Sequence, residues 1–187
     1  MACTQTLNGI ILDCETSVGG IKEVYIAHYE DVVGKLTVAS TITVDSNPEA
    51  EPQTLDGDMI TAIDAAGKFK RYQFRKQTGS MTSTLNVDEV AGINYVSTEL
   101  SLVFTKMETK KRVEIAAMAV GQLAVIVKDG NNKFWFLGFD DYVSSTAGSG
   151  NTGTSKGDSN NYSITLKDES DSYPYEVHPS IIEALIG

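Results

Sequence analysis

The 187-residue chain carries a formal net charge of −10, a pI near 4.6 and 41% hydrophobic residues. That length suits one domain with extended arms and can bury a core without disulfide staples. The acidic balance argues against nucleic-acid binding through general phosphate contacts, and no apolar run approaches the ~20 residues of a membrane span.

Residues 1–20 are polar, contain Gly19-Gly20, and read as an N-terminal arm. No charged region followed by an apolar stretch comes after Met1-Ala2-Cys3-Thr4, so no secretory signal is expected. Cys3 and Cys14, the only cysteines, are then expected as reduced thiols rather than a bridge. Ile21 to His28 is rich in β-branched and aromatic residues and predicts a strand. Leu36 to Val44 alternates, with Leu36, Val38, Ser40, Ile42 and Val44 on one face, and predicts a half-buried strand. Asp45 to Gly57, with Pro48 and Pro52, predicts a loop.

The longest β signal runs from Phe69 to Phe104 and predicts a long hairpin turning at Asp88–Asn94. Tyr72 and Phe74 oppose Arg71, Gln73 and Arg75; Met81, Ser83, Leu85 and Val87 oppose Ser80, Thr82, Thr84 and Asn86. The returning strand sets Val96, Thr98, Leu100, Leu102 and Phe104 against Ser97, Glu99, Ser101 and Thr105. At ~3.4 Å per residue each arm would reach about 30 Å. A two-stranded ribbon of that length is marginal alone and needs partners for its edges. Its polar face, Arg71, Gln73, Arg75, Thr82, Thr84, Glu99 and Ser101, is the first candidate functional surface.

Lys106 to Val120 is the best helix signal and ends at Gly121, a fitting cap. Val113, Ala116, Ala117 and Val120, widened by Ile115 and Met118, make its expected buried stripe. Leu123 to Gly138 predicts a tight hairpin through Asp129-Gly130-Asn131-Asn132, with Phe134 and Phe136 on one face and Trp135 on the other. The polar run 144–161 exceeds ordinary connections of about 4–6 residues and predicts a long contact loop. Ser145, Gly150, Asn151, Gly153 and Lys156 are its candidate residues. Tyr162 to Lys167 predicts a last core strand, and 179–186 either a short helix from Pro179 or a terminal strand. The fold class is mainly β: a sandwich or barrel-like core with one packed helix, a long hairpin and extended loops or arms.

Motifs for catalysis are sparse. His28 and His178 lack a partner motif, and there is no Cys-x-x-Cys, serine elbow or P-loop. Gly148, Gly150 and Gly153 fit a Gly-x-Gly-x-x-Gly spacing but neither follow a strand directly nor open a helix, and read as flexible loop. Asp140, Asp141 and Asp158 lack EF-hand spacing and read as turn formers; Asp64, Asp88 and Glu89 form no obvious acid–base pair. Asp45, Glu49, Glu51, Asp56, Asp58 and Asp64 form one acidic run and Asp168, Glu169, Asp171 and Glu176 another; both read as solvated surface, the alternative being an acidic side that repels DNA or meets a basic patch on a neighbouring copy. Neither enzyme activity nor a metal or other cofactor is expected.

The order of these elements over residues 20–175 resembles that of bacteriophage tail tube (major tail) proteins, in the variety found in phages and prophages of gut bacteria. It rests on Gly20-Ile21-Lys22-Glu23-Val24-Tyr25-Ile26, the hairpin 69–104, the helix 106–120, the run around Val127-Lys128-Asp129-Gly130 with Lys133-Phe134-Trp135-Phe136, and Lys156 to Leu166. The resemblance implies a virion protein that forms hexameric rings stacked into the tail tube and is assembled in the bacterial host cytoplasm. Hairpins of neighbouring subunits would close an inner barrel, while loops and arms reach the next ring and other tail proteins. DNA would pass without specific binding, and no membrane is involved. A tail terminator or connector is the alternative within this class. A carbohydrate-binding β-sandwich using Trp135 and Tyr142 is the alternative outside it.

Overall fold

Long-range hydrogen bonding, rather than local hairpins alone, organises the strands into two sheets. The computed structural model describes residues 17–44, 53–75, 78–88, 90 and 92–187. Cys3, Cys14, most of the N-terminal arm, and Asp45, Glu49, Glu51 and Glu89 of the acidic readings lie outside them.

The first sheet has seven strands in the order β2 (Leu36–Val44), β3 (Gln53–Ile63), β11 (Tyr175–Val177), β8 (Phe134–Leu137), β7 (Leu123–Asp129), β1 (Ile21–His28) and β4 (Lys70–Gln73). The second has four: β5 (Gly79–Asp88), β6 (Ile93–Thr105), β10 (Asn161–Ser170) and β9 (Ser144–Asn151). Helix α1 (Thr109–Val120) packs beside the second sheet, and a 3-10 turn leads into the short α2 (Ile182–Leu185).

The apolar run Leu123 to Val127 follows from burial on both faces of its sheet. Leu123, Val125 and Val127 join Val24 and Ile26 of β1 in a cluster with Leu100, Leu102, Ile164 and Leu166 of the four-stranded sheet. This cluster is the interior of a β-sandwich. Ala124 and Ile126 instead join Tyr25, Ile60, Phe69, Phe134, Phe136 and Val177 in a second cluster, to which Ile182 and Leu185 of α2 belong.

The tight hairpin β7–β8 forms as expected, with Asn132 at φ 66° and Trp135 opposite the buried Phe134 and Phe136. Gly130 is needed for close approach: an added Cβ would lie 2.3 Å from the Val18 carbonyl oxygen. Its N–H donates to the Gly20 carbonyl at 2.8 Å, and Val18 N–H donates to Asn131 Oδ1 at 2.7 Å, so residues 17–20 lie against this turn.

Several expectations need correction. The hairpin does not extend over 69–104. Its first segment is β4, paired with β1 in the other sheet, while β5 and β6 alone make the ribbon. The expected loop 45–57 gives way to β3 at Gln53, and β11 adds a short strand to those expected. Helix α1 starts at Thr109 because Lys106 adopts φ 67° and Glu108 is extended. Gly121 follows the helix with φ −82°, outside the left-handed cap region. The inward face of α1 carries Lys111, Glu114, Ile115 and Met118. Val113, Ala116, Ala117 and Val120 are exposed. The C-terminal segment combines both alternatives: α2 follows Pro179, and Ile186 then forms a parallel bridge to Phe69.

Candidate functional site

The four-stranded sheet has one buried and one polar face, and its two outer strands, β5 and β9, have no further strand beside them among the described residues. Its registers define the polar face row by row. Ser80, Ser101, Thr165 and Ala147 lie across the sheet in one row; Thr82, Glu99, Lys167 and Ser144 in the next; Thr84, Ser97 and Glu169 in a third. Ser149 and Ser163 pair beyond them, with their hydroxyls 2.8 Å apart. Hydroxyl side chains therefore dominate. Lys167 Nζ lies 2.6 Å from Glu169 Oε1, and that hydrogen bond raises the Lys167 pKa. Glu99 adds a further acid, so two carboxylates and one ammonium leave the face without a cationic track for phosphates.

Of the candidate polar-face residues, Thr82, Thr84, Glu99 and Ser101 come together here. Arg71, Gln73 and Arg75 do not. Arg71 and Gln73 sit on β4 and both donate to Glu23 on β1, which also accepts from the Tyr25 hydroxyl at 2.7 Å. Burial alone would raise the Glu23 carboxyl, but these three donors and the Arg71 charge hold it down at about 2. Tyr25 is pushed up to about 12, first by burial and then by Glu23. Exposed Arg75 follows β4, where its carbonyl accepts from Thr78 Oγ1 at 2.7 Å.

The expected contact loop 144–161 is largely the edge strand β9. Ser145, Gly150 and Asn151 are part of its ladder with β10. Gly148 and Gly150 are likewise strand residues, and not flexible loop. At Gly150 a Cβ would approach the Tyr162 ring to 3.0 Å. Only the turn between β9 and β10 remains irregular, and it is tied internally. Asp158 Oδ2 accepts from Thr154 N and Oγ1 and from Ser155 N, at 2.8, 2.9 and 2.8 Å, which draws its pKa well below the usual carboxylate range. Gly153 supplies φ 70° in this turn, and Lys156 is exposed on it.

Asp168, expected among the surface acids, is buried beside the sandwich core. Burial raises its pKa to about 6 against the hydrogen bond from Gly138 N–H, with Asp140 and Asp141 pushing the same way as burial. The signal was in the alternation, since Asp168 continues the inward series Ile164, Leu166.

The other chemical candidates remain dispersed. His28 is exposed; His178 Nδ1 accepts from Ser180 N at 3.3 Å and lies 2.6 Å from Ser180 Oγ. Trp135 Nε1 donates to Asp129 Oδ2 at 3.1 Å, and Tyr142 stacks edge-on against Tyr29. Asp140 and Asp141 accept from the backbone N–H groups of Asp171 and Tyr142. Among the described residues no group of three or more His, Cys, Asp or Glu side chains is placed to hold a metal ion. An open cleft of about 610 Å³ lies between β4 and α1, lined in part by Tyr72, Phe104, Lys111 and Ile115. Within it Tyr72 donates to Glu114 at 2.8 Å, and Lys111 to the Thr105 carbonyl at 2.5 Å.

No family model, curated protein or solved structure matches this chain. Among the described residues no helix is long and apolar enough to cross a membrane.

Proposed function

We propose that this protein is a non-catalytic virion component that self-assembles into hexameric rings, stacked as a phage tail tube through which DNA passes. The observation that carries this reading is the four-stranded sheet: one buried face, one hydroxyl-lined face and, among the described residues, two outer strands with no further strand beside them. Unpaired edges invite pairing with another chain, and ring closure removes them.

Size agrees with this role. Six copies would join roughly 24 strands, spaced ~4.8 Å apart and tilted by about 40°, with a circumference of about 150 Å. Side chains would leave a bore of about 40 Å, wide enough for a duplex about 20 Å across. Thr82, Thr84, Glu99 and Ser101 would then face the lumen, where neutral hydroxyls and a slight acidic excess let phosphates slide without sticking. Assembly would take place in the host cytoplasm, with other tail proteins at the ends of the tube.

Negative-stain electron microscopy of the purified protein tests this reading. Six-fold rings or tubes with a central channel are the expected result. Closed rings that never stack would favour a tail terminator or connector. A strictly monomeric protein at high concentration would overturn the proposal.

A further inference from the structure

β4 is an outermost strand of the seven-stranded sheet, and residues 185–187 lie beside only the start of its outer edge. Phe69 N–H donates to the Leu185 carbonyl, and the Phe69 carbonyl accepts from Gly187 N–H. Successive residues of a strand turn their main-chain groups to opposite sides. Lys70 and Tyr72 therefore turn theirs to β1, where they lie opposite Ile26 and Val24. Arg71 and Gln73 turn theirs to the outer side, past Gly187, where no further strand lies among the described residues. An edge of this kind is a template for an added strand.

The open cleft of about 610 Å³ borders this edge, with β4 on one side and α1 on the other. Its volume falls within the ~300–1,000 Å³ typical of ligand sites. Tyr72, Phe104 and Ile115 supply its apolar lining. They pack on the sandwich interior but are only partly buried, and the Tyr72 and Phe104 rings meet edge-on at 6.2 Å.

The charge of the cleft is opposite to that of the chain. Its Arg71 is paired with Glu23 and its Lys111 with Glu108. Lys70 and Lys110 also line it, are exposed, and form no ion pair among the described residues. Glu114, which accepts from the Tyr72 hydroxyl, offsets only one of these two ammonium groups. In a chain of net charge −10 such a cleft selects an acidic ligand. A small anion would meet the lysines alone. An extended peptide meets the lysines, the aromatic lining and the main-chain groups of Arg71 and Gln73 together. A second copy presenting the same edge would set Lys70 and Lys110 against their own counterparts, which favours a different protein as the partner.

We propose that this cleft binds an extended acidic segment of another protein, added as a strand beside Arg71 and Gln73. Side chains on one face of the added strand recur every second residue. An apolar or aromatic one covers Tyr72, Phe104 and Ile115, and carboxylates on either side of it meet Lys70 and Lys110. The site goes beyond tube assembly and does not depend on it, since β4 and the outer strands β5 and β9 belong to different sheets.

The probe is a fluorescently labelled synthetic peptide, Thr-Glu-Thr-Phe-Thr-Glu-Thr, blocked at both ends and titrated with the full-length chain by anisotropy. It should bind saturably, at one site per chain. Exchanging both peptide glutamates for lysine should weaken binding by about tenfold or more, and so should Lys70→Glu combined with Lys110→Glu in the protein. Lys35→Glu combined with Lys156→Glu changes the net charge equally at exposed positions outside the cleft and should leave affinity as it is. Amide exchange at Arg71 and Gln73 should slow when the peptide is added, while Lys70 and Tyr72, already turned to β1, should change little. Absence of saturable binding at millimolar peptide, equal weakening by the two double variants, or unchanged exchange at Arg71 and Gln73 would each overturn the proposal. Displacement by equimolar succinate would identify a small-anion site and overturn it too. Loss of self-association on adding the peptide would assign the cleft to a second copy, again against the proposal.

Discussion

Asp168 Oδ1 accepts a hydrogen bond from the backbone N–H of Gly138, 3.1 Å away. The contact ties β10 of one sheet to the residue following β8 of the other, and Gly138 can meet it at φ 94° only because it lacks a side chain. Tyr29 also senses this acidic end of the sandwich. Burial first, then Asp141, Asp140 and Asp168, raise its pKa.

This buried carboxyl makes stability depend on pH. Its folded pKa of about 6 lies above the unfolded value of about 3.9, so the folded state holds the proton more tightly. The contribution is fully present below about pH 4 and is lost as pH rises through about 6. Asp168→Asn keeps an oxygen for Gly138 N–H and removes the charge. It should stabilise the protein by about 1–3 kcal/mol at pH 7.5, with a much smaller difference at pH 4. Urea unfolding at one protein concentration and two pH values checks this; equal differences at both would refute it.

Glu23 has the opposite sign. Its folded pKa of about 2 lies below the unfolded value of about 4.3, so its contribution is present above about pH 4.3 and is lost as pH falls towards 2. Glu23→Gln should cost about 1 kcal/mol at pH 7, a modest figure because Arg71 is near solvent and screened. The deficit should shrink by pH 2.5. A deficit independent of pH would mean that packing, not charge, is what the residue supplies.

Gly130→Ala tests the anchoring of residues 17–20. The new methyl group would meet backbone oxygens of Val18 and Gly19, which side-chain motion cannot relieve. The segment should detach, at a cost of about 1 kcal/mol or more. Amide exchange should accelerate at Val18 and Gly130 while Val125 and Ile126 stay protected. Unchanged exchange at Val18 would contradict the close approach.

Phe69 belongs to the seven-stranded side of the sandwich rather than to the ribbon. It is fully buried, its N–H donates to the Leu185 carbonyl at 3.0 Å, and its carbonyl accepts from Gly187 N–H at 3.0 Å. Phe69→Ala should cost about 3–5 kcal/mol and loosen the C-terminal segment. Thermal unfolding combined with limited proteolysis near residue 180 would detect both effects. A loss below about 1 kcal/mol would place the side chain outside the core.

The candidate surface was partly legible from alternation. Thr82, Thr84, Glu99 and Ser101 occur at every second position, so one polar face follows from the strand period alone. Arg71 and Gln73 obey the same alternation, yet β4 belongs to one sheet and β5 to the other. Nothing in a two-residue period reports that change of sheet. The glycine- and serine-rich β9 lacked the β-branched residues that signal a strand; its ladder with β10 supplies the order that its composition does not. The helix posed a similar ambiguity, because both sides of α1 carry a stripe of helical period.

Local chemistry thus settled the mainly β class, the Asp129–Asn132 turn, the strands β1, β6, β7 and β10, and the helical nature of 109–120, since each depends on neighbours within a few residues. Sheet membership, the outermost places of β5 and β9, the burial of Asp168 and the outward face of α1 came from contacts distant along the chain, such as Ile21 with Asp129 and Ile164 with Leu102. Their hydrogen bonds and shared apolar burial lower the free energy only after the whole sandwich has closed, so no segment carries them alone.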